Sequence, residues 1–183
     1  MRKLAAFIVF FAWYMNVYSQ EFSNKSIIFS AGLSVTANLK AEGFGLNFGL
    51  GYQKGLWGNR LRVMPSLTYG IYTNFGVQDA SPANINSTNL KININYDLLR
   101  IKSFSLFIGT GITGNYSISH IKEIGTFRET HFAFNGLFGF RIYPPKKKLG
   151  YELKVLELII EPTYEEDYYE GGILQFGVIY KLN

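Results

Sequence analysis

Residues 43–52 read Gly-Phe-Gly-Leu-Asn-Phe-Gly-Leu-Gly-Tyr. Every even position is large and apolar: Phe44, Leu46, Phe48, Leu50 and Tyr52. Every odd position is small or polar: Gly43, Gly45, Asn47, Gly49 and Gly51. Successive side chains of a β-strand point to opposite faces, so this stretch is a strand with one greasy face and one nearly empty face. Four glycines would weaken an ordinary strand. They are tolerable where the glycine face looks into a narrow, crowded interior. The fold turns on whether the greasy face meets a protein core or lipid.

The same period of two runs along the chain. Upstream, about Ser26 to Lys40, the apolar residues Ile27, Phe29, Leu33, Val35 and Leu39 alternate with Ser30, Gly32, Ser34, Thr36 and Asn38. Ala41-Glu42 forms a tight connection into the 43–52 strand. A Gly-rich turn at 54–59 leads to a third strand, about Arg60 to Phe75. Pro65 lies on its apolar face and cannot donate to a ladder, which predicts a bulge or weak pairing. Residues 76–88 read as the longest loop. A fourth strand, about Asn89 to Leu99, sets Leu90, Ile92, Ile94, Tyr96 and Leu98 against Lys91, Asn93, Asn95 and Asp97, and a turn covers Arg100 to Ser103. The fifth runs from about Phe104 to His120, a polar loop spans Ile121 to Glu129, and the sixth runs from about Thr130 to Tyr143. Pro144-Pro145-Lys146-Lys147-Lys148 ends it. The seventh, Leu153 to Tyr164, is irregular: Ile159 breaks the alternation, and residues 149–156 have room for a helical turn. An acidic loop at Glu165 to Gly172 precedes an eighth strand, Ile173 to Leu182. Eight strands joined as consecutive hairpins, with no βαβ unit, predict an all-β, eight-stranded antiparallel up-and-down barrel.

Composition narrows the class. Of 183 residues, 48% are hydrophobic, 17% aromatic and only 17% charged, where about 25% charged is usual for a soluble domain. Residues 1–19 read as a signal peptide: Arg2 and Lys3, an apolar run from Leu4 to Tyr14, and Val17-Tyr18-Ser19 as a small-residue cleavage site. That run is too short to span a bilayer as a helix. Residues 20–183 then form one barrel domain. With no cysteine, disulfides and thiolate metal sites are excluded. The net charge of +5 hints at anionic surfaces, lipopolysaccharide phosphates among them. Scattered Lys and Arg residues speak against nucleic acid.

Two architectures share this pattern. A soluble lipocalin-like barrel points its apolar face inward around a ligand; a transmembrane barrel points it outward. Three features favour the membrane. The polar face carries Gly, Ser, Asn and Thr rather than the Lys and Glu of a solvated surface. Aromatic residues gather near both ends of the strands, Tyr52, Tyr96, Phe104, Phe140 and Tyr180 toward one rim and Phe44, Phe75, Tyr116, Phe132 and Tyr164 toward the other, as two membrane interfaces select. Several strands also exceed the about 9–11 residues needed to cross while tilted.

On these grounds the chain resembles the small outer-membrane β-barrel family of Gram-negative bacteria, which includes OmpX and the OmpA membrane domain. Gln175, Gly177, Tyr180 and Leu182 fit the closing-strand pattern of that family, polar-x-Gly-x-x-aromatic-x-hydrophobic, with Leu182 and Asn183 departing from its commoner aromatic end. The resemblance implies export to the outer membrane and insertion by the barrel-assembly machinery. It also implies contact with outer-membrane lipids and lipopolysaccharide, and a monomer with a structural or surface-interaction role. With the N-terminus periplasmic, the connections near 76–88, 121–129 and 165–172 face outward.

Candidate sites are few. Arg60, Arg62, Lys91, Asp97, Arg141, Glu157, Glu161 and Lys181 share the inward parity, and each must be paired there. Neighbouring strands predict Asp97 with Arg62, and Arg141 with Glu157, as an interior plug rather than an ion path. The only histidines, His120 and His131, flank the third outer loop, near Ser117, Ser119 and Glu129. A lipid A-modifying barrel enzyme would use His with Ser and a carboxylate, but the spacing matches no such motif. Glu165-Glu166-Asp167 reads as a solvated loop rather than a Ca²⁺ site. No catalytic, cofactor or metal residue is assigned. The reading is a non-enzymatic structural or adhesive barrel; the alternatives are a small-solute pore, a lipid A-modifying enzyme and a soluble lipocalin-like binder.

Overall fold

The computed structural model describes residues 24–38, 41–74, 83–121, 124–161 and 168–182. They form eight strands: β1 (Lys25–Asn38), β2 (Ala41–Leu56), β3 (Leu61–Asn74), β4 (Ala83–Ile101), β5 (Phe104–Ile121), β6 (Gly125–Ile142), β7 (Leu149–Glu161) and β8 (Tyr168–Leu182). Each strand pairs antiparallel with the next, and β1 pairs with β8, so the sheet closes on itself. Closure leaves the described ladder without an edge.

The alternation sorts the side chains by face. In β2, Phe44, Leu46, Phe48, Leu50 and Tyr52 are all exposed on the outer wall, while Gly43, Gly45, Asn47 and Gly51 are buried. The same holds around the ring: Phe29 on β1, Leu67 on β3, Leu90 on β4, Ile112 on β5, Phe134 on β6, Leu158 on β7 and Phe176 on β8 are exposed. An apolar surface continuous around a barrel is incompatible with water and fits a lipid environment. Of the expected aromatic rims, Tyr52, Tyr96, Tyr180, Phe44, Tyr116 and Phe132 are exposed on that wall, and Phe104 and Phe140 are half-buried against each other at 5.7 Å. Phe75 and Tyr164 lie outside the described residues.

The glycines make room for larger neighbours. At Gly45 an added Cβ would sit 2.5 Å from the Tyr72 ring, and at Gly139 it would meet Leu153 O at 2.5 Å and the Phe107 ring at 2.8 Å. Tyr72 and Phe107 are fully buried inside the barrel. The near-empty face is therefore a set of sockets for interior side chains.

Several boundaries differ from the sequence reading. Residues 83–88 belong to β4, 125–129 to β6 and 168–172 to β8, so the expected loops are shorter. Ala41 and Glu42 open β2 instead of forming a turn, and Ala41 pairs with Asn38. Residues 149–156 hold no helical turn. They are strand, and the lost alternation is a β-bulge: Phe138 faces Leu156 while Gly139 faces Lys154, leaving Val155 as the extra residue. A second bulge falls at Leu98, since Asp97 faces Phe107 and Leu99 faces Leu106. A third falls at Ile173, where Leu33 faces Leu174 and Ser34 faces Gly172. An extra residue flips the parity of everything beyond it. Pro65 acts differently. The β2–β3 ladder lapses between Gly51↔Ser66 and Lys54↔Val63 but resumes in the same register. The expected signal peptide, residues 1–19, lies outside the described residues.

Candidate functional site: the charged interior

The lumen is packed rather than open. Arg62, Arg141, Tyr72, Phe107, Met64 and Ile179 are among the largest fully buried side chains. Toward the end that carries the termini, Ile28, Met64, Tyr143 and Ile179 form a small apolar cluster. Sequence reading missed this cluster, because these residues stand at inward parity where polar groups were expected.

Beside it lies a group centred on Asp97. Arg100 donates to Asp97 Oδ2 from Nη2 at 2.7 Å and from Nε at 2.9 Å. Arg62 Nε approaches the same oxygen at 3.4 Å, and Arg141 Nη1 reaches Oδ1 at 3.3 Å, where Ser105 also donates at 3.3 Å. Arg141 Nε donates to Glu152 Oε2 at 2.5 Å, and its guanidinium lies 3.6 Å from the centre of the Phe107 ring. A cation over an aromatic face gains from the ring quadrupole. Arg100 also donates to Gly58 O at 3.1 Å, tying the group to the β2–β3 turn.

A second group spans the lumen. Lys91 on β4 donates to Glu157 Oε1 on β7 at 2.8 Å, and Lys154 lies 3.6 Å from Glu157 Oε2. Neutral amides continue the network: Asn135 donates to Asn93 at 2.6 Å, Asn115 to Asn89 at 2.6 Å, and Gln175 to Asn47 at 2.6 Å, while Asn47 donates to Ser34.

The expected Asp97–Arg62 pair is present. The expected Arg141–Glu157 pair is not. Arg141 faces Glu152 across the β6–β7 ladder, and Glu157 lies opposite Leu137. Glu157 is four rungs along β6 from Arg141, and the Val155 bulge brings Glu152 to the inside to take its place. The Leu98 bulge likewise turns Asp97 and Arg100 both inward. Arg100, Glu152 and Lys154 were therefore missed by strict alternation. Their signal was the adjacent apolar pairs Leu98-Leu99 and Val155-Leu156, which interrupt a period of two. Arg60 sits half-buried in the turn before β3. Lys181 donates to Pro144 O at 3.0 Å, capping the barrel end beside Tyr143. Glu161 closes β7, and its side chain lies outside the described residues.

The histidines do not converge. His131 Nε2 lies 3.2 Å from Glu129 Oε2, whereas His120 Nδ1 lies 2.9 Å from Thr126 Oγ1. His131 stands opposite Asn115 and shares inward parity with it; His120 stands opposite Thr126 at outward parity. Ser117 faces Glu129, and Ser119 faces Phe127. Ser117, Ser119, Glu129 and His131 therefore share the inward face of this hairpin, and His120 alone stands on the other. Glu165-Glu166-Asp167 lies outside the described residues.

Neither a family model nor a curated protein matches the chain. Solved structures do. The crystal structure of Neisserial surface protein A matches with a TM-score of 0.64 at 16% identity, covering 89% of this chain and 100% of that one. The structure of Ail, the attachment invasion locus protein of Yersinia pestis, matches with a TM-score of 0.52 at 11% identity, covering 87% of this chain and 99% of that one. The fold is that of the small outer-membrane β-barrels. In such a barrel the apolar wall of this chain takes the lipid side and the charged lumen becomes its core.

Proposed function

We propose that this chain is an integral outer-membrane β-barrel with a structural or surface-interaction role and no catalysis. The observation that carries this reading is the pairing of an apolar outer wall with a lumen filled by hydrogen-bonded ion pairs. The first calls for a bilayer; the second speaks against a through-path for solute. Insertion with the termini and the short turns at Trp57–Arg60, Lys102–Ser103 and Pro144–Lys148 on the periplasmic side puts the far ends of β4, β5 and β6 at the cell surface. Those three strands are the longest, at 19, 18 and 18 residues. Phe127, Arg128, Glu129 and Thr130 of β6 are exposed there. Ail is named for attachment and invasion, and the Neisserial barrel is named a surface protein; both names support an adhesive or envelope role for this end. The barrel-assembly machinery acts during insertion, through the Gln175, Gly177, Tyr180 and Leu182 pattern of β8, and the protein works as a monomer among lipids and lipopolysaccharide.

The test is fractionation with heat-modifiable migration. A folded band that shifts on boiling, recovered from purified outer membranes, supports the reading, and recovery in the soluble fraction refutes it. Planar-bilayer recordings of the purified barrel are expected to stay silent, which separates a plugged barrel from a pore.

A further inference from the structure

Two turns at the end of the barrel that carries the termini hold four exposed lysines: Lys102 between β4 and β5, and Lys146, Lys147 and Lys148 between β6 and β7. The turns adjoin. Tyr143, just past the end of β6, donates its backbone N–H to Ser103 O at 2.6 Å. The longer turn is braced from two sides. Lys147 N–H reaches Pro144 O at 3.4 Å, Lys181 N–H donates to Lys148 O at 2.8 Å, and the Lys181 ammonium donates to Pro144 O at 3.0 Å. The backbone that carries the four lysines is therefore held in place, which lowers the ordering cost of binding. The described side chains at this end include no exposed carboxylate.

The backbone points to a use for this charge. Of the four described non-glycine residues with positive φ, two are lysines of these turns, Lys102 at +50° and Lys146 at +59°. Lys102 opens the two-residue turn after the Ile101–Phe104 pair, a hairpin position that Gly, Asn and Asp fill most readily. Left-handed backbone is unfavourable for a residue with a Cβ, and strain of this kind collects at functional positions. Height in the wall identifies the partner. Ile101 and Leu149 directly flank the lysines along the chain, Ile142 ends β6, and all three are exposed on the lipid-facing wall. Consecutive Cα atoms are about 3.8 Å apart, so Lys102 and Lys148 leave the apolar band within one residue. A lysine stem lying along apolar surface there ends with its ammonium at headgroup depth.

We propose that Lys102, Lys146, Lys147 and Lys148 form a docking surface for the headgroup of an anionic phospholipid in the leaflet on the termini side. The ammonium groups hold the phosphate, and the acyl chains lie along the wall at Ile101, Ile142 and Leu149. The surface rests on the membrane-barrel reading above. It is set by position as well as by charge, since the two turns are joined through Tyr143 and Ser103, whereas exposed Lys54 stands on β2, across the barrel.

Native mass spectrometry of the full-length barrel tests it, after insertion into vesicles of phosphatidylethanolamine and phosphatidylglycerol and release in mild detergent. Phosphatidylglycerol is expected to remain bound in preference to phosphatidylethanolamine, whose own ammonium the lysines repel. Affinity for phosphatidylglycerol is expected to fall about a hundredfold in K146Q/K147Q/K148Q and about fivefold in K102Q. K146R/K147R/K148R keeps the charge and is expected to retain the lipid. K54Q removes one charge from the far side of the same rim and is expected to retain it too. Equal loss in K102Q and K54Q, no preference between the two lipids, or retention of inorganic phosphate in place of lipid each overturns the surface. Binding to peptidoglycan sacculi that K146Q/K147Q/K148Q abolishes, with no lipid preference, assigns the lysines to an anionic polymer and overturns it as well. Those results are read only on protein with the heat-shifted band of a folded barrel, and a chain that enters no vesicle overturns the barrel reading itself.

Discussion

Lys91 and Glu157 belong to strands that are not neighbours, yet their side chains meet at 2.8 Å through the middle of the barrel. Glu157 also pairs with Lys154, at 3.6 Å. One acid therefore holds two buried cations from opposite walls. Glu157→Gln is expected to destabilise the barrel by about 3 kcal/mol or more, because it strands both charges. Replacing Lys91 and Glu157 together with Met and Leu is expected to recover part of that loss. Urea unfolding in lipid vesicles, followed by band shift, measures both. A single variant as stable as the parent would show that the cross-lumen pair contributes nothing.

Asp97 is the heavier prediction. It serves three guanidiniums, those of Arg62, Arg100 and Arg141. Asp97→Ala leaves Glu152 as the acid nearest the group, bonded to Arg141. Breaking a buried pair from one side costs about 3–5 kcal/mol, and here three guanidiniums each lose one of their acceptors. The thermal unfolding midpoint is expected to drop further than in Glu157→Gln. An unchanged midpoint in Asp97→Ala would count against the network.

Packing of the glycine face is tested at Gly139 and Gly49. Gly139→Ala sets a methyl 2.5 Å from the Leu153 carbonyl oxygen, which is backbone and cannot swing aside, and 2.8 Å from Phe107, the ring under Arg141. A loss of about 1–3 kcal/mol is expected. Gly49→Arg meets Ser30 Oγ at 2.5 Å before the rest of the side chain is placed. Its folded yield in outer membranes is expected to fall well below that of Asn47→Ser. The serine variant is not silent, since Asn47 accepts from Gln175 at 2.6 Å. Equal yields for the two would contradict the inward direction of this face.

Deleting Val155 tests the bulge. Without the extra residue, Lys154 and Leu156 become consecutive opposite Gly139 and Phe138, so register with β6 is kept on both sides and Glu152, Lys154 and Glu157 stay in the lumen. The heat-shifted band is expected to be retained, as it is on deletion of exposed Lys147 from the turn at the end of β6. Loss of the band in the Val155 deletion alone would show that Val155 is not the extra residue.

How much of this was legible in the sequence follows from the period of two. Strand number, order and the lipid-facing set read directly from runs such as Phe44 to Tyr52, because a barrel wall between lipid and a packed lumen enforces strict alternation. The Asp97–Arg62 pair was legible too, since both residues keep parity on adjacent strands. Arg141 with Glu152 and Lys91 with Glu157 were not. The first depends on a single inserted residue, and the second on strands that approach only through the interior. Strand ends were misjudged at residues 83–88, 125–129 and 168–172, where polar side chains continue a ladder beyond the apolar band and periodicity in hydrophobicity has no more to report. The histidines looked close along the chain, but a hairpin sends successive residues to opposite sides, and His120 and His131 differ in parity.

The seam between β1 and β8 has a consequence for biogenesis. Ile27 pairs with Tyr180, and Lys25 with Leu182, so the first strand finds one of its two partners only at the very end of the chain. Until those last residues arrive, both flanks of the sheet expose backbone donors and acceptors, and in hydrocarbon each such group costs several kcal/mol. The wall is therefore complete only when Leu182 meets Lys25, and until then both open flanks need cover from outside the chain.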